Sequence, residues 1–321
     1  MTDFETVASS ELSTARRGPS GEPDAPGQPK DMTETRPQRV RSLAGDAWAD
    51  LRRNPIFWIA SLLVVIVVLM AVFPSLFTPN RPTDCELGRQ HDGPSGAAIF
   101  GYSFQGCDVW ARAVYGARAS LTIGGLAALG AGTIAIIVGL VAGYFGGWTD
   151  AVLSRVIDIV LGIPLLLGAL VLLSRVKGDD TARTLAIVGV LAGLGWTTAA
   201  RVIRSSVITA KQQDYVLAAR MLGAGNGRIM WRHILPNSLA PVVVVITIAL
   251  GAFIATEATL SFLGIGLNNT VSWGADINTG QQHVREAVTP LAVPSIFLAL
   301  TVLAFIMLGD AIRDAFDPKL R

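Results

Sequence analysis

Few side chains in this sequence have the types and spacing that chemistry requires. A nucleotide-hydrolysing loop reads Gly-x-x-x-x-Gly-Lys-Ser/Thr, because glycines let backbone amides close around phosphates while the lysine meets their charge. None of the four lysines, Lys30, Lys177, Lys211 and Lys319, follows a glycine, so any ATP hydrolysis is expected on another chain. His91, His233 and His283 are isolated and no His-Glu-x-x-His occurs. With only Cys85 and Cys107 beside them, no metal site is expected and a disulfide-rich scaffold is excluded. Gly93-Pro94-Ser95-Gly96 has the Gly-x-Ser-Gly form of an intramembrane serine protease, with His91 close by. That chemistry needs the serine buried on one helix and the histidine facing it from another; Pro94 and its polar neighbours spell a turn instead.

Charges inside apolar stretches are the remaining candidates. Arg155 and Asp158 lie three apart in one such stretch, where they can satisfy one another, so a structural ion pair is favoured over a proton relay. Glu257 lies deeper in its stretch, and its partner cannot be named from sequence.

The elements that position these residues follow from composition. The chain has 321 residues, 51% of them apolar and 16% charged, with a net charge of +2. This is the composition of a membrane protein, and it carries no basic signature for nucleic acid. Residues 1–45 are rich in Pro, Gly, Ser, Thr and charge, which predicts a disordered tail; the lack of an apolar run near the start argues against a cleavable signal. Residues 46–73 should form a short surface helix, with Trp48, Arg52 and Arg53 at headgroup depth, and then the first span. Six spans are predicted, Ile56–Phe73, Ala119–Gly143, Ala151–Leu173, Thr184–Ala200, Ser238–Leu263 and Val288–Gly309. The architecture is therefore an all-α integral membrane protein, with an outer loop over 74–118, a five-helix core over 119–309 and a short C-terminal segment over 310–321. Gly139 with Gly143, and Gly189 with Gly193, are small residues four apart that let helix backbones approach.

Lys and Arg near the span ends set the orientation. The positive-inside rule places both termini, and the connection from Arg201 to Arg232, in the cytoplasm. Cys85 and Cys107 then share the oxidising face with no metal-type neighbour, so a disulfide is expected, the alternative being two free thiols.

The stretch Asp214 to Pro236 is apolar on one side only. Tyr215, Ala218, Ala219 and Leu222 fall at i, i+3, i+4 and i+7, a face of mostly small residues suited to close docking. Gly223 and Gly225 permit the turn that ends the helix, a second short helix carries Arg228 and Arg232 one turn apart, and Pro236 restarts the chain. A plain amphipathic helix on the lipid surface is the alternative reading. Ala218-Ala219, Gly223 and Ile234-Leu235-Pro236 resemble the EAA loop of permease subunits of bacterial ABC importers, with Leu217 where that loop has Glu and His233 where it has Ile. The resemblance implies that Asp214, Tyr215, Leu217, Ala218, Ala219, Arg220, Leu222, Gly223, Ile234, Leu235 and Pro236 form a coupling element, within 205–236, that docks in a cytoplasmic ATPase.

Further stretches extend the match. Leu51-Arg52-Arg53-Asn54-Pro55, Tyr115-Gly116-Ala117-Arg118-Ala119-Ser120-Leu121, Gly143 to Trp148, Glu257 to Gly264 and Asp317 to Arg321 resemble the C-type permease subunit of bacterial dipeptide and oligopeptide ABC importers. Cys107 departs from that pattern, standing where an Arg is usual. The resemblance implies the type I importer permease fold in the bacterial plasma membrane and a heterodimer with a B-type permease. It further implies ABC ATPase subunits that carry the ATP and Mg, with no cofactor on this chain, and an extracytoplasmic peptide-binding protein. Its cargo would be peptides, with nickel or glutathione as the alternative. A passive channel would leave the Ala218-Ala219…Gly223 loop without a job, and a membrane enzyme would need convergent polar side chains within the bundle.

Overall fold

The computed structural model describes residues 43–267 and 270–316; the expected tail, apart from its last three residues, and the Asp317 to Arg321 motif lie outside them. Among the described residues the chain is helical, with two isolated antiparallel bridges, Cys85 with Cys107 and Tyr102 with Asp108.

Short α1 (Leu43–Leu51) runs into α2 (Pro55–Val72) through a cap that the sequence spells out. The Asn54 side chain accepts from the Ile56 amide, and Pro55 occupies the first turn, where no amide is needed. Ala47 and Leu51 of α1 bury against Ala311 and Ala315 near the chain's end.

The organising element is α3 (Val109–Phe145). Its 37 residues span about 56 Å at 1.5 Å per residue, well beyond the roughly 30 Å hydrocarbon layer. Asp108 caps its start by accepting from the Trp110 and Ala111 amides. Gly146, at φ 66°, ends it where a side chain would strain the backbone. Along it Ala127, Ala128, Ala131 and Ala135 are buried in the main core.

Two predicted spans are bent helix pairs. α4 (Gly147–Leu161) and α5 (Leu165–Leu173) meet at 76° across Gly162-Ile163-Pro164, and α6 (Asp180–Gly195) and α7 (Thr197–Lys211) meet at 44° around Trp196. Pro164 disfavours helical geometry at the residue before it and so sets the first break. Among the described residues, four helices are long and apolar enough to cross a membrane, or up to six if each bent pair counts as one span.

Beyond α7 come α8 (Asp214–Met221), the single turn α9 (Asn226–Arg228), a π-helical turn (Ile229–Ile234) and α10 (Leu235–Phe262). Next are α11 (Trp273–Gln282), which the sequence reading did not anticipate, and α12 (Thr289–Phe316). A Ser272 cap, accepting from the Ala275 amide, starts α11. Trp273 anchors it, fully buried, with its indole NH donated to the Ala113 carbonyl at 2.8 Å.

The glycine pairs divide. A Cβ at Gly139 would fall 2.7 Å from the Ala200 carbonyl and one at Gly143 2.8 Å from the Arg204 carbonyl, so these glycines let α3 lie directly on α7. Gly189 and Gly193 meet no atom within 4 Å of such a Cβ and face open space in this chain.

Candidate functional site

The platform at the far end of α3 and α7 is built from backbone geometry upward. α8 closes in a Schellman motif: Gly223, at φ 79°, donates to the Arg220 carbonyl and the Ala224 amide donates to the Ala219 carbonyl, both at 3.0 Å. The helix thus ends at a fixed angle, and the chain turns back under it.

The return runs through the π-helical turn, and Pro236 explains it. Pro236 has no amide to give the Arg232 carbonyl and its ring would crowd that carbonyl, so regular α-helix cannot continue. The Leu235 amide instead donates five residues back to Met230, while the Asn237 side-chain amide donates to the His233 carbonyl at 2.7 Å. One wide turn absorbs the mismatch.

The turn also determines which face of α8 is outward. Val216 and Ala219 are buried, in company with Ile229, Met230 and Ile234 of the π-helical turn. Leu217, Met221 and Leu222 are 50%, 89% and 88% exposed, and Trp231 is 56% exposed. The i, i+3, i+4, i+7 spacing predicts Ala219 on the docking face with Tyr215, Ala218 and Leu222; the structure leaves those three exposed and turns Ala219 inward. Spacing along one helix does not reveal that the π-helical turn packs back on α8 and covers Val216. The Arg228 and Arg232 helix expected there is likewise split between α9 and the π-helical turn.

One polar tie fastens the platform to the bundle, and two more brace the helices that it adjoins. The Tyr144 hydroxyl, at the end of α3, donates to the Asn226 side-chain oxygen at 2.8 Å. Lys211 donates from Nζ to the Gly143 and Tyr144 carbonyls at 3.2 and 3.0 Å, a cation on the C-terminal carbonyls of α3. Arg204 of α7 grips Asp150 at the start of α4 through both carboxylate oxygens.

The expected Arg155–Asp158 pair does not form. Asp158 instead meets Arg201 of α7 at 2.6 Å. Both partners were visible as charges, but the packing of α4 across α7 brings a second arginine nearer than the one on the same helix.

Glu257 now has its partners. The Ser120 hydroxyl of α3 donates to one carboxylate oxygen and that of Ser261, one turn on, to the other, each at 2.8 Å. All three are buried, so the cluster joins α3 to α10 with its polar atoms satisfied. Ser120 lies 137 residues away in sequence, which no local pattern reveals.

At the opposite end, Cys85 and Cys107 are joined at an S–S distance of 2.06 Å. Arg89 donates to the Tyr102 hydroxyl at 2.7 Å within the loop they close. Arg112 of α3 donates from Nε to Asp276 of α11 at 2.9 Å. Burial lifts the Asp276 carboxyl above its ordinary range, against the opposing pull of Arg112. Gly93-Pro94-Ser95-Gly96 lies in the exposed loop, where the Ser95 hydroxyl accepts from the Ala98 amide. Among the described residues, no three His, Cys, Asp or Glu side chains gather where they could hold a metal.

Comparison with known proteins adds sequence relatives to this geometry. Residues 135–321 match the family of binding-protein-dependent transport system inner membrane components. Residues 42–94 match the N-terminal transmembrane domain of oligopeptide transport permease C. A dipeptide transport system permease protein of Alkalihalophilus pseudofirmus is 33% identical, over 94% of this chain and 96% of that one. An oligopeptide transport system permease protein of Bacillus subtilis is 34% identical, over 87% of this chain and 91% of that one. A glutathione transport system permease protein of Pectobacterium atrosepticum is 33% identical, over 89% and 94%.

Proposed function

The chain belongs to the family of binding-protein-dependent transport system inner membrane components, and from that premise we propose that it is one permease half of an ATP-driven importer of short peptides. One observation carries the mechanism. Leu217, Met221, Leu222 and Trp231 are large apolar side chains left exposed on α8 and the π-helical turn, which the Tyr144–Asn226 bond ties to the bundle. Apolar surface exposed beyond the membrane spans marks a docking site, and its partner here is the cytoplasmic ATPase, which binds the ATP and Mg. Both termini share that side, and this chain contributes no catalytic group.

The ties state how motion is passed on. A displacement of α8 reaches α10 through the π-helical turn, α3 through Tyr144–Asn226 and α7 through the short Gln212-Gln213 link, while Lys211 ties α7 to α3. Because α4 is held to α7 by Arg201 and Arg204, the bent α4–α5 pair follows. ATP shifts the balance of outward-open and inward-open packing only by its different affinity for the two states.

A B-type permease completes the membrane unit, and an extracytoplasmic binding protein delivers cargo. The dipeptide and oligopeptide names of its relatives support peptides, and the glutathione relative supports a second, closely related cargo. Nickel ranks below both. The test is deletion of this gene in its host, followed by uptake of labelled di- to pentapeptides, glutathione and nickel. Loss of peptide uptake is the expected result. Normal peptide uptake with lost nickel uptake would reassign the cargo, and peptide accumulating inside the mutant would reverse the direction.

A further inference from the structure

His91 and His283 are far apart in the sequence and adjacent in the fold, with ring centroids 5.8 Å apart at the disulfide end of the bundle. His91 lies in the loop that Cys85 and Cys107 close, and His283 directly follows α11. We infer that the two imidazoles are a binding site for a divalent transition-metal cation of the zinc, nickel and copper class, which clamps the outer loop to the end of α11. The site lies beyond the importer reading and does not depend on it.

The state of the ring nitrogens singles out an ion over plain aromatic packing. His283 Nδ1 lies 3.1 Å from the Thr279 carbonyl. A carbonyl only accepts, so Nδ1 carries the proton and Nε2 is left with a lone pair. One ring nitrogen fixed by a backbone carbonyl is the usual support of a metal-binding imidazole. His91 Nδ1 is buried and has no hydrogen-bond partner, a rare condition for a polar atom removed from water. Packing of ring faces leaves that nitrogen orphaned, whereas an ion shared with His283 satisfies it. Metal–nitrogen bonds of about 2.0–2.1 Å put the centroids of two imidazoles on one ion roughly 5–6 Å apart, and the observed spacing falls in that range.

The surrounding chain holds both rings in place. His91 sits at φ 58°, in the left-handed region, and such backbone strain outside glycine collects at binding sites. Its amide donates to the Ser103 carbonyl at 3.4 Å, and the Ser103 amide donates to the Cys107 carbonyl at 2.8 Å, which ties His91 to the disulfide. Phe104, the next residue, stacks on the His283 ring at 4.3 Å with 12° between the planes. Imidazole suits zinc, nickel and copper, while hard magnesium and calcium seek oxygen ligands that the pair does not offer. Among the described residues no third His, Cys, Asp or Glu joins them, so water completes the coordination and the ion is held more loosely than in a four-ligand structural site.

Both native cysteines are taken up in the disulfide, so no thiolate competes for the ion. The untagged full-length chain, in detergent, is titrated with Cu²⁺, whose pulsed electron paramagnetic resonance counts bound imidazoles, and then with Zn²⁺ or Mg²⁺ as competitor. One equivalent of Cu²⁺ should show two imidazoles, and Zn²⁺ should displace it where Mg²⁺ does not. His91→Gln and His283→Gln should each leave one imidazole and weaken Zn²⁺ binding at least tenfold. The chain has three histidines, so two imidazoles that survive His233→Gln can only be His91 and His283; that count decides the matter even if the other two variants fail to fold. Fewer than two imidazoles in the parent or in His233→Gln overturns the site, as does a second imidazole persisting in His91→Gln or His283→Gln. Displacement by Mg²⁺ as effective as by Zn²⁺ overturns the class of ion.

Discussion

The guanidinium of Arg201 on α7 lies 2.6 Å from the carboxylate of Asp158 on α4, and one turn further along α7 Arg204 closes on Asp150. These two pairs lash the first half of a bent span to the helix that carries the platform. The side chains of Arg204 and Asp150 are 33% and 20% exposed, against 50% for both members of the other pair.

Burial orders their strengths. Exposed ion pairs contribute about 0.2–1 kcal/mol, and a hydrogen bond to a charged group about 1.5–3 kcal/mol where it is better shielded. Double-mutant cycles on thermal unfolding in detergent should therefore give a larger coupling for Asp150→Asn with Arg204→Gln than for Asp158→Asn with Arg201→Gln. The cycle of Asp158→Asn with Arg155→Gln should give none. A coupling at Arg155 equal to that at Arg201 would restore the same-helix pair.

The inward turn of Ala219 separates folding from docking on a helix of eight residues. Ala219→Asp places a carboxylate on the side of α8 where Ala219 is only 8% exposed, at a cost of about 1–3 kcal/mol or more for an unsatisfied group. Its expected result is a platform that opens, read as faster amide exchange across 214–236. Leu222→Asp adds a charge where the side chain is already 88% exposed, so exchange stays as in the parent while co-purification of the ATPase is lost. If both variants bind the ATPase normally, α8 is not the docking surface.

Much of this architecture was legible in the chain, for a physical reason. Long apolar runs specify spans by themselves, and caps such as Asn54-Pro55 specify their starts, because both act within a few residues. What escaped was decided between distant segments. Glu257 finds Ser120 on another helix, Asp158 finds Arg201 in preference to Arg155, and the face of α8 depends on chain that returns from Pro236. Helix α11 was missed because its ten residues are too few and too mixed to read as a span; the Ser272 cap ahead of Trp273 was the one local signal.

Gly223 tests the Schellman closure directly. Its φ of 79° is one that an L side chain adopts at about 1–2 kcal/mol, although no atom lies within 4 Å of where a Cβ would sit. Gly223→Ala should therefore destabilise the loop through backbone strain alone. Gly225 caps α9 at φ −69°, a geometry that serine accepts while adding a capping hydroxyl. Gly225→Ser should be neutral or mildly stabilising, by a few tenths of a kcal/mol. Equal losses at both positions in local amide exchange would show that space, not φ, governs the turn.

Asp276 gives the opposite end of the molecule a pH dependence whose sign is fixed. Its carboxyl is buried, which lifts it above its ordinary value of 3.8, and the neighbouring Arg112 lowers it only in part. A carboxyl raised in the fold binds its proton more tightly there than in the unfolded chain, so unfolding releases a proton wherever the two states differ. The contribution of this site to stability is therefore greatest at low pH. It declines as pH rises from about 3.8, the unfolded value, through the raised folded value, and is level above both. Arg112→Gln removes the opposing charge, raises the folded value further and carries the decline to higher pH. Thermal midpoints in detergent, measured against pH for the parent, Arg112→Gln and Asp276→Asn, check the argument. The Asn variant should lose this component of the slope, and Arg112→Gln should extend it upward; an Arg112→Gln profile parallel to the parent would show that the arginine does not act on this carboxyl.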